Sequence, residues 1–585
     1  MTSSRLEEPR PDGSQPLIYI LAAFCIWGAY VLVHQSLLSP DFNFNNKLQI
    51  LVWAIKSAIF GAFPASLLLA LPALLSRRRK TDLAVKAGII LGLAGYFGVL
   101  IAVSLYFTYF GDLPYPGMLM DRWRETLTIR GQILSQLIGW REITLMLLWL
   151  TSTLAVAFSS GSRHRLSRMA ALRIAAVLLA GNLCFVAYKW IHNDIRQDLR
   201  YGYTRVAQSR GIGTAYALMI SSTVIKRHDA SPPVPYPGKI NHLVRKTGLI
   251  ELPRATNIII LQIESLDWSV IDMRVGGRPI TPFLDRLKTR SIFFTNFIAQ
   301  HSGGGSSDSE LSVLTSLLPS REGSGFQKAR YDKIKSLPEA LSDCGYTSAV
   351  LHPNIASYFH RDKAFAALGF DHYFHESYFK GSARGMFARD KPFLAQSFKI
   401  IEALPRPFFA YLITIQSHGP FQNVTDKKFR AHIASVKPGL DGITIDYLAV
   451  IHEVDGALEH FFGLLEKNGL IDKCLIVLFA DHLSGVLDRR TSYERIPLML
   501  YYHRWPARSV AAPGSHLDIA PTITELIGAS ETNNWLGSAL LPPDPHRMVL
   551  LNKPMCIFLK DGHLATRYAP EDLPFVRYSN YLLGR

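Results

Sequence analysis

The stretch NIIILQIE at residues 257–264 predicts a buried β-strand that ends on a carboxylate. From this point onward, short β-rich runs alternate with helical stretches, which is the pattern of an α/β domain with a largely parallel sheet. The other predicted strands are Ile292–Ile298, Thr347–Leu351, Phe408–Ile415, Cys474–Phe479 and Pro497–Tyr502. Helices are predicted at Thr281–Arg290, Ser336–Cys344, Tyr447–Lys467 and Asp518–Ile527.

Acidic and imidazole side chains follow four of these strands. They are Glu264 after the first strand, His352 after the third, His418 soon after the fourth, and Asp481-His482 after the fifth. Ligands of open α/β sheets bind beyond the carboxyl ends of the strands. Each residue alone is more simply explained as a helix cap or a surface group, but together they predict a site at one edge of the sheet.

Glutamate, aspartate and histidine side chains together can hold one divalent cation of the manganese, magnesium or zinc kind. Mixed carboxylate and imidazole ligation disfavours calcium, but it does not choose among the other three. Three protein ligands would leave an open coordination position for a nucleophile or a substrate oxygen.

The segment HSGGGSSDSE at residues 301–310 carries the candidate nucleophile. Its three glycines permit a close approach of the backbone to a ligand. The Ser307-x-x-Glu310 spacing predicts a capping box, with a helix that starts at Ser307 and continues through Leu311–Leu318. Ser306 would then lie at a helix amino terminus, where free N–H groups favour a phosphate. A flexible Gly/Ser loop with an ordinary cap is the equally simple alternative for this segment alone.

Five apolar stretches in the first 190 residues predict membrane spans, because most of them reach or approach the ~20 residues needed to cross a bilayer. They are Pro16–Leu38, Leu51–Leu75, Val85–Phe110, Ile143–Ser159 and Ala170–Trp190. Arginine clusters lie in the second and fourth loops between them, whereas the first and third loops carry little net charge. Because basic loops stay in the cytoplasm, this alternation predicts a multi-pass protein with its amino terminus inside and everything after Trp190 outside.

The composition excludes several other classes of protein. A chain of 585 residues with 48% hydrophobic and 11% aromatic residues is far from the signature of disorder. Five cysteines without a CxxC pair exclude a disulfide scaffold and imply no zinc site of their own. Part of the net charge of +17 forms clusters on alternate loops between the predicted spans, so membrane topology explains these clusters better and no nucleic acid partner is predicted.

The predicted organisation has four parts. A transmembrane domain at 1–190 precedes a basic juxtamembrane connector at 191–252, a catalytic domain at 253–545 and a C-terminal extension at 546–585. Within the connector, His192–Arg210 is basic and aromatic-rich, which suits a helix lying on anionic headgroups. A proline-rich break at 231–237 follows, and the domain boundary is placed near Pro253.

Several short motifs follow one another between Asn257 and Gly528. They are Gln262-Ile263-Glu264-Ser265, Thr281-Pro282-Phe283-Leu284, Phe294-Thr295-Asn296-Phe297, Gly305-Ser306-Ser307-Asp308-Ser309-Glu310, His352, Tyr358-Phe359-His360-Arg361, Leu368-Gly369-Phe370-Asp371, Ser417-His418-Gly419-Pro420-Phe421, Ala480-Asp481-His482 and His516-Leu517-Asp518-Ile519-Ala520-Pro521-Thr522. In this order and spacing they resemble the lipoteichoic acid synthase and phosphoglycerol transferase family of the alkaline phosphatase and sulfatase superfamily. Five membrane spans ahead of an outward domain also match that family.

The resemblance implies a five-span α-helical membrane domain followed by an α/β alkaline-phosphatase/sulfatase-like extracytoplasmic domain, anchored in a bacterial cytoplasmic (inner) membrane. It implies one divalent metal, commonly Mn2+, with Mg2+ or Zn2+ as alternatives. The implied metal ligands are Glu264, Ser306, Asp481 and His482, and Ser306 is also the implied nucleophile. The implied substrate contacts are Arg361 and His418, with His352 nearby and Phe359 in the headgroup pocket.

Two positions depart from the family pattern. The usual nucleophile is threonine, and here it is Ser306. A tryptophan usually stands just before the arginine partner, where this chain has Phe359-His360-Arg361, and this leaves the identity of the headgroup open. A sulfatase needs Cys or Ser two residues before Pro-x-Arg. The closest match, Leu317-Leu318-Pro319-Ser320-Arg321, has leucine there, which argues against a sulfatase.

The resulting functional prediction is a membrane-anchored, metal-dependent transferase. It would move a phosphoglycerol-type headgroup from a phospholipid, with phosphatidylglycerol favoured, through a covalent Ser306 intermediate to a hydroxyl of a glycan or polymer. One alternative is a phosphoethanolamine transferase, a phosphodiesterase or a sulfatase-like hydrolase that uses the same site. Another is a non-catalytic membrane lipid sensor, which would usually have lost metal ligands that this chain retains.

Overall fold

The chain forms two compact units, Met1–Arg227 and His228–Arg585, in a computed structural model. The structure describes residues 15–36, 64, 79–110, 113, 138–158, 172–173, 176–177, 179–181, 183–184, 206–207, 211–225, 234–241, 252–253, 255–301, 305–319, 325–327, 331–385, 387–419, 421, 423–487, 493–529, 534–552, 555–568 and 573–583. Each unit is considered by itself below.

The described part of the first unit is helical. Its helices are α1 (Gln15–Ser36), α2 (Arg79–Phe110), α3 (Trp140–Phe158) and α4 (Ile212–Ile225). Helices α1, α2 and α3 pack against one another and coincide with the first, third and fourth predicted spans. A buried hydrogen bond of 2.7 Å from the Ser104 hydroxyl to the Glu142 carboxylate joins α2 to α3.

Among the described residues, one segment, Lys86–Leu105, is both long and apolar enough to cross a bilayer, and Leu21–His34 is apolar but shorter. The second predicted span, Leu51–Leu75, lies outside the described residues except for Pro64. The fifth, Ala170–Trp190, is described only in fragments. Five spans therefore stay a prediction.

The predicted connector is divided between the two units. Its segment Ile212–Ile225 forms α4, an apolar helix that joins the buried core of the first unit. The Ile212 backbone N–H donates to the Tyr30 hydroxyl at 2.9 Å. In the second unit, the Tyr236 hydroxyl donates to the Trp535 carbonyl at 2.8 Å. The basic segment His192–Arg210 lies outside the described residues except for 206–207.

The second unit is built on a nine-stranded, mostly parallel sheet, which confirms the predicted α/β class. Its strands are β1 (Asn257–Ile263), β4 (Ile292–Ile298), β5 (Thr347–Leu351), β6 (His372–Phe374), β7 (Phe408–Ile413), β8 (Cys474–Ala480), β9 (Arg495–Tyr501), β10 (Arg508–Val510) and β11 (Gly514–Ser515). The order is β10-β4-β9-β8-β1-β7-β5-β6, and β11 also pairs with β4. Strand β9 runs antiparallel to both β4 and β8.

The strand bounds follow the hydrophobic pattern closely. Three strands, β1, β4 and β5, have the predicted bounds. Strand β7 ends at Ile413, two residues early, and β9 covers Arg495–Tyr501 instead of 497–502. Every residue of β1 and β8 is buried, as expected for central strands of a parallel sheet that is covered on both faces.

Helices cover the sheet and a small second sheet follows it. The helices are α5 (Pro282–Lys288), α6 (Ser306–Thr315), α7 (Leu337–Ser342), α8 (Arg361–Ala367), α9 (Asp390–Glu402), α10 (Lys427–Val436), α11 (Gly442–Lys467), α12 (Ile519–Leu526) and α13 (Leu573–Leu582). A two-stranded ribbon pairs β2 (Arg274–Val275) with β3 (Arg278–Pro279). The predicted C-terminal extension forms β12 (Val549–Leu550), β13 (Met555–Lys560), β14 (His563–Tyr568) and α13, and its Leu550 carbonyl accepts a hydrogen bond from Gln300.

Candidate active site

Four neighbouring strands bring the predicted site residues to one edge of the sheet. Strands β8, β1, β7 and β5 lie side by side and run parallel. Glu264, His352 and Asp481 each follow the last residue of one of them. The loop after β7 is tied to the same edge, because the Ser417 hydroxyl donates to the Glu264 carbonyl at 2.5 Å. This loop carries His418.

Glu264, Asp481 and His482 form a compact group of potential metal ligands. One ligand atom from each lies within 4.8 Å of the others. The His482 Nε2 is 3.6 Å from Glu264 Oε1 and 3.5 Å from Asp481 Oδ2. Two carboxylates this close repel each other, and burial makes the repulsion stronger. The arrangement therefore favours a cation between them.

The Asp481 carboxylate shows that the group is incomplete without such a cation. Its Oδ1 accepts hydrogen bonds from the Ser265 and His482 backbone N–H groups at 2.9 and 2.8 Å. Its Oδ2 is buried and has no hydrogen-bond partner among the described residues. Burial and the neighbouring Glu264 carboxylate raise the pKa of Asp481. A buried carboxylate oxygen left without a partner is costly, so the residues present fit a bound divalent metal.

The His482 ring is oriented for ligation through one nitrogen. Its Nδ1 lies 3.0 Å from the Leu483 carbonyl, to which it can only donate, so Nε2 keeps its lone pair. That Nε2 faces Glu264 and Asp481. Burial by itself would raise the pKa of Glu264, but the nearby His418 and His482 lower it overall. Glu264 is thus the more readily ionised of the two carboxylates.

Ser306 lies directly at this group. Its Oγ is 3.1 Å from Glu264 Oε2 and 3.3 Å from His482 Nε2. It is the first residue of α6, preceded by Gly305 at φ +53°, a conformation that glycine adopts without strain. The helix places Ser306 at its amino terminus, as predicted. Three protein groups and one hydroxyl therefore converge on one point.

The predicted capping box is wrong. Helix α6 starts at Ser306 rather than Ser307, ends at Thr315 rather than Leu318, and has no side-chain cap. The Glu310 carboxylate instead accepts from Arg361, with Nε to Oε2 at 2.9 Å and Nη2 to Oε1 at 2.5 Å. Both side chains are buried. The local spacing suggested a cap, but a buried guanidinium 51 residues away competes more strongly for the carboxylate.

The other predicted substrate contacts lie near this pair. The Arg361 Cζ is 5.0 Å from the centre of the Phe359 ring. His352 is buried and donates from Nδ1 to the Ile413 carbonyl at 3.0 Å, and burial together with Arg361 lowers its pKa well below the usual range. The His418 Nδ1 donates to the Gly419 carbonyl at 2.7 Å. His352 therefore acts as a neutral polar group.

Unusual backbone conformations occur beside the site residues. Ser265, next to Glu264, has φ +51°, and Phe359 and His360, just before Arg361, have φ +58° and +59°. Non-glycine residues adopt such angles at a cost, and they are concentrated at functional sites in proteins. The residues with strained backbone are therefore direct chain neighbours of the site residues Glu264 and Arg361.

His516 is a buried residue behind the site that the analysis of individual residues did not select. It accepts from the Gln300 N–H at Nδ1 (3.0 Å) and donates from Nε2 to the Ala480 carbonyl (3.0 Å), which directly precedes Asp481. Burial lowers its pKa to about 4. The sequence did contain a signal for His516, because it lies in the last of the motifs that resemble the family. Glu310 also lies in one of those motifs, but its spacing from Ser307 suggested a capping box instead.

Residues 256–529 match the family model described as Sulfatase. This region is therefore similar to the sulfatase family. The chain is also similar to curated lipoteichoic acid synthases of Bacillus subtilis (strain 168). Lipoteichoic acid synthase 2 is 32% identical over 53% of this chain and 51% of its own length. Lipoteichoic acid synthase 1 is 33% identical over 47% of this chain and 46% of its own length.

The chain spans about half the length of the curated relatives it matches. A solved structure similar to the chain is the lipoteichoic acid synthase LtaP from Listeria monocytogenes. It has a TM-score of 0.48 and 22% identity, and the match covers 58% of this chain and 94% of that one. The predicted resemblance to lipoteichoic acid synthases is confirmed by the family match and the curated relatives.

Proposed function

We propose that the protein is a membrane-anchored, metal-dependent transferase that moves a phosphoglycerol-type headgroup from a phospholipid to a hydroxyl of a glycan or polymer. The observation that supports this most is the position of Ser306 Oγ, 3.1 Å from Glu264 Oε2 and 3.3 Å from His482 Nε2 at a helix amino terminus. The names of the curated relatives support the same reaction class.

The metal would be held by Glu264, Asp481, His482 and the Ser306 Oγ, with manganese favoured over magnesium or zinc. Bound there, a divalent cation would lower the pKa of the Ser306 hydroxyl and so activate it as a nucleophile. Asp481 Oδ2, which accepts no hydrogen bond from the described residues, and the lone pair of a neutral His482 Nε2 support this ligand set.

The first step forms a covalent bond to Ser306. Its Oγ attacks the donor phosphorus as the bond from phosphorus to the diacylglycerol oxygen breaks. Diacylglycerol leaves with that electron pair and takes up a proton. The positive end of the α6 dipole would stabilise the charge on the phosphoryl oxygens. Arg361 would contact those oxygens, and Phe359 would line the headgroup pocket.

The second step restores the serine. A hydroxyl of the acceptor attacks the phosphoserine phosphorus, the bond from phosphorus to Oγ breaks with its electron pair on Oγ, and the proton lost by the acceptor hydroxyl is replaced on Oγ. His418 would contact the phosphate or assist this proton transfer, with the neutral His352 beside it. With water as acceptor, the same site would act as a phosphodiesterase.

A donor drawn from the lipid leaflet requires a site close to a bilayer. We infer five membrane spans, an inside amino terminus and an extracytoplasmic catalytic domain at a bacterial cytoplasmic membrane. Three described helices, α1, α2 and α3, coincide with predicted spans, and Lys86–Leu105 has the length and apolarity to cross. Residues 191–252 would connect the membrane domain to the catalytic domain at 253–545 and its extension at 546–585.

The test uses the purified full-length protein with manganese and phosphatidylglycerol bearing a fluorescent acyl chain. We expect fluorescent diacylglycerol from the intact protein and a loss of at least about 1000-fold in Ser306→Ala, because the nucleophile is removed. Ser306→Thr is the matched control and should retain activity within about 10-fold, since it keeps a hydroxyl at the same atom.

Parallel assays with different lipids distinguish the alternative functions. Turnover of phosphatidylethanolamine but not phosphatidylglycerol would keep the chemistry and replace the headgroup. Release of free headgroup phosphate without a transferred product would indicate a hydrolase. No turnover of either lipid with manganese, magnesium or zinc would contradict the enzyme and favour a lipid sensor.

A further inference from the structure

Helix α6 carries two chemically important side chains on one face. Ser306 is its first residue and Glu310 follows four residues later, so the two are separated by about one helical turn, roughly 6 Å along the axis. Glu310 is fully buried. Its carboxylate therefore shares a rigid element with the proposed nucleophile.

The Glu310 carboxylate holds one edge of the Arg361 guanidinium. It accepts from Nε at 2.9 Å and from Nη2 at 2.5 Å, and the two side chains are 0% and 3% exposed. Two parallel hydrogen bonds fix the plane of a guanidinium as well as its position. Arg361 thus cannot rotate about its own axis without breaking this pair.

The remaining edge of the guanidinium is available. Within the part of the chain that the structure describes, Nη1 of Arg361 makes no hydrogen bond. One face of the group packs over the Phe359 ring. The guanidinium is therefore held on one edge and one face, and in the proposed function its Nη1 edge would contact the phosphoryl oxygens.

The surroundings connect this edge to the nucleophile. Arg361 interacts electrostatically with His352, His352 with His418, and His418 with Glu264. The backbone before Arg361 is held in two successive left-handed conformations, at Phe359 and His360. Such a conformation persists only where surrounding contacts maintain it, and the bond to Glu310 is one such contact.

We propose that Glu310 is a positioning residue that sets the distance and orientation of the Arg361 guanidinium relative to Ser306 Oγ. This assignment rests on the proposed function. Because both Glu310 and Ser306 are on α6, a shift of the helix moves the nucleophile and the phosphate-binding cation together. A displacement of about 1 Å between reacting groups can cost about 100-fold in rate.

The test measures Glu310→Gln in the manganese-loaded full-length protein. The amide cannot accept from both Nε and Nη2, so we expect kcat/KM for fluorescent phosphatidylglycerol to fall by about 100-fold. The affinity for inorganic phosphate, measured by calorimetry, should fall by about 10-fold. The affinity for manganese should change by less than about 2-fold, because Glu310 is not among the proposed metal ligands.

Two further variants test whether the effect of Glu310→Gln is only a loss of folding. Glu310→Asp keeps the charge but withdraws it by one methylene, and it should also weaken phosphate binding. Asp518→Asn removes one charge from another buried pair, the 2.7 Å contact between Asp518 and Arg547. This control should lower the melting temperature while leaving phosphate affinity within about 2-fold.

A double-mutant cycle gives the decisive result. If Glu310 acts only through Arg361, adding Glu310→Gln to Arg361→Ala causes no further loss of phosphate affinity or kcat/KM. Independent losses that multiply would overturn the assignment, as would folded Glu310→Asp and Glu310→Gln proteins with unchanged kinetics. An intact protein that neither turns over lipid nor binds phosphate would overturn the proposed function, and the positioning role with it.

Discussion

Two sets of carboxylates, Glu310 within α6 and the pair Glu264 and Asp481 beside its first residue, are balanced in different ways. At Glu310 the guanidinium of Arg361 satisfies both oxygens, so the protein itself supplies the counter-charge. At Ser306 the carboxylates of Glu264 and Asp481 share one imidazole, and Asp481 Oδ2 has no hydrogen-bond partner among the described residues. Arg361 balances Glu310 within the folded chain, whereas we infer that a bound cation would balance Glu264 and Asp481.

The largest expected effect comes from neutralising one of the proposed metal ligands. Asp481→Asn should lower kcat/KM by about 1000-fold or more, because it removes a proposed metal ligand. In the metal-free protein the same change should raise the melting temperature, since it relieves an uncompensated buried charge worth about 1–3 kcal/mol. Thermal unfolding of the full-length protein with and without manganese measures both parts.

Asp267→Asn is the matched control for that experiment. Asp267 is as buried as Asp481, but its oxygens accept from the Ser484 N–H, the Ser484 hydroxyl and the Leu487 N–H. We expect it to lower the melting temperature of the metal-free protein. If Asp481→Asn also lowered the melting temperature of the metal-free protein, the inferred difference between the Asp481 and Asp267 carboxylates would be wrong.

The second prediction concerns how the stability contributed by His516, the buried residue behind the proposed metal ligands, depends on pH. Burial lowers the pKa of His516 from 6.5 to about 4. The unfolded chain therefore binds more protons between those values, so the stability that His516 contributes is fully present above pH 6.5 and is lost as pH falls towards 4. The contribution is up to about 3 kcal/mol.

His516→Gln can still accept from Gln300 and donate to Ala480, but it does not titrate. Its melting temperature should therefore vary less than that of the intact protein between pH 6.5 and 4. Other histidines contribute equally to both proteins and cancel in the difference. Two superimposable pH profiles would show that His516 is not held neutral.

The smallest effect is expected at the Glu310–Arg361 pair. Arg361→Lys keeps a positive charge near Glu310 but loses the planar, two-bond contact. We expect kcat/KM to fall by about 10- to 30-fold, with most of the change in KM for the lipid donor. Steady-state kinetics of the manganese-loaded protein measure it. A loss as large as that of Asp481→Asn would contradict the distinction between the Glu310–Arg361 pair and the proposed metal ligands.

Much of the fold and part of the site could be predicted from the sequence because they depend on local patterns. Strand β1 is an apolar run with a carboxylate directly after it, and Asp481-His482 follow β8 in the same way. Since parallel neighbours share an edge, their side chains had to meet. Residue type and strand order were enough for this inference.

The remaining features depend on contacts between distant segments. The pairing of Glu310 with Arg361 crosses 51 residues, and the local spacing suggested a cap instead. His516 reaches Gln300 across 216 residues. Helix α4 is an apolar segment that was expected to belong to a connector, and only its packing in the first unit shows otherwise. No local pattern contains such information.

The central claim is that Ser306, beside the proposed metal ligands, carries the headgroup as a covalent intermediate. The most direct measurement is intact-protein mass spectrometry after acid quenching of the full-length protein with manganese and phosphatidylglycerol, without an acceptor. The account predicts an added phosphoglycerol group located on Ser306, and none on Ser306→Ala. Lipid turnover by the intact protein with no adduct, together with turnover by Ser306→Ala, would contradict it.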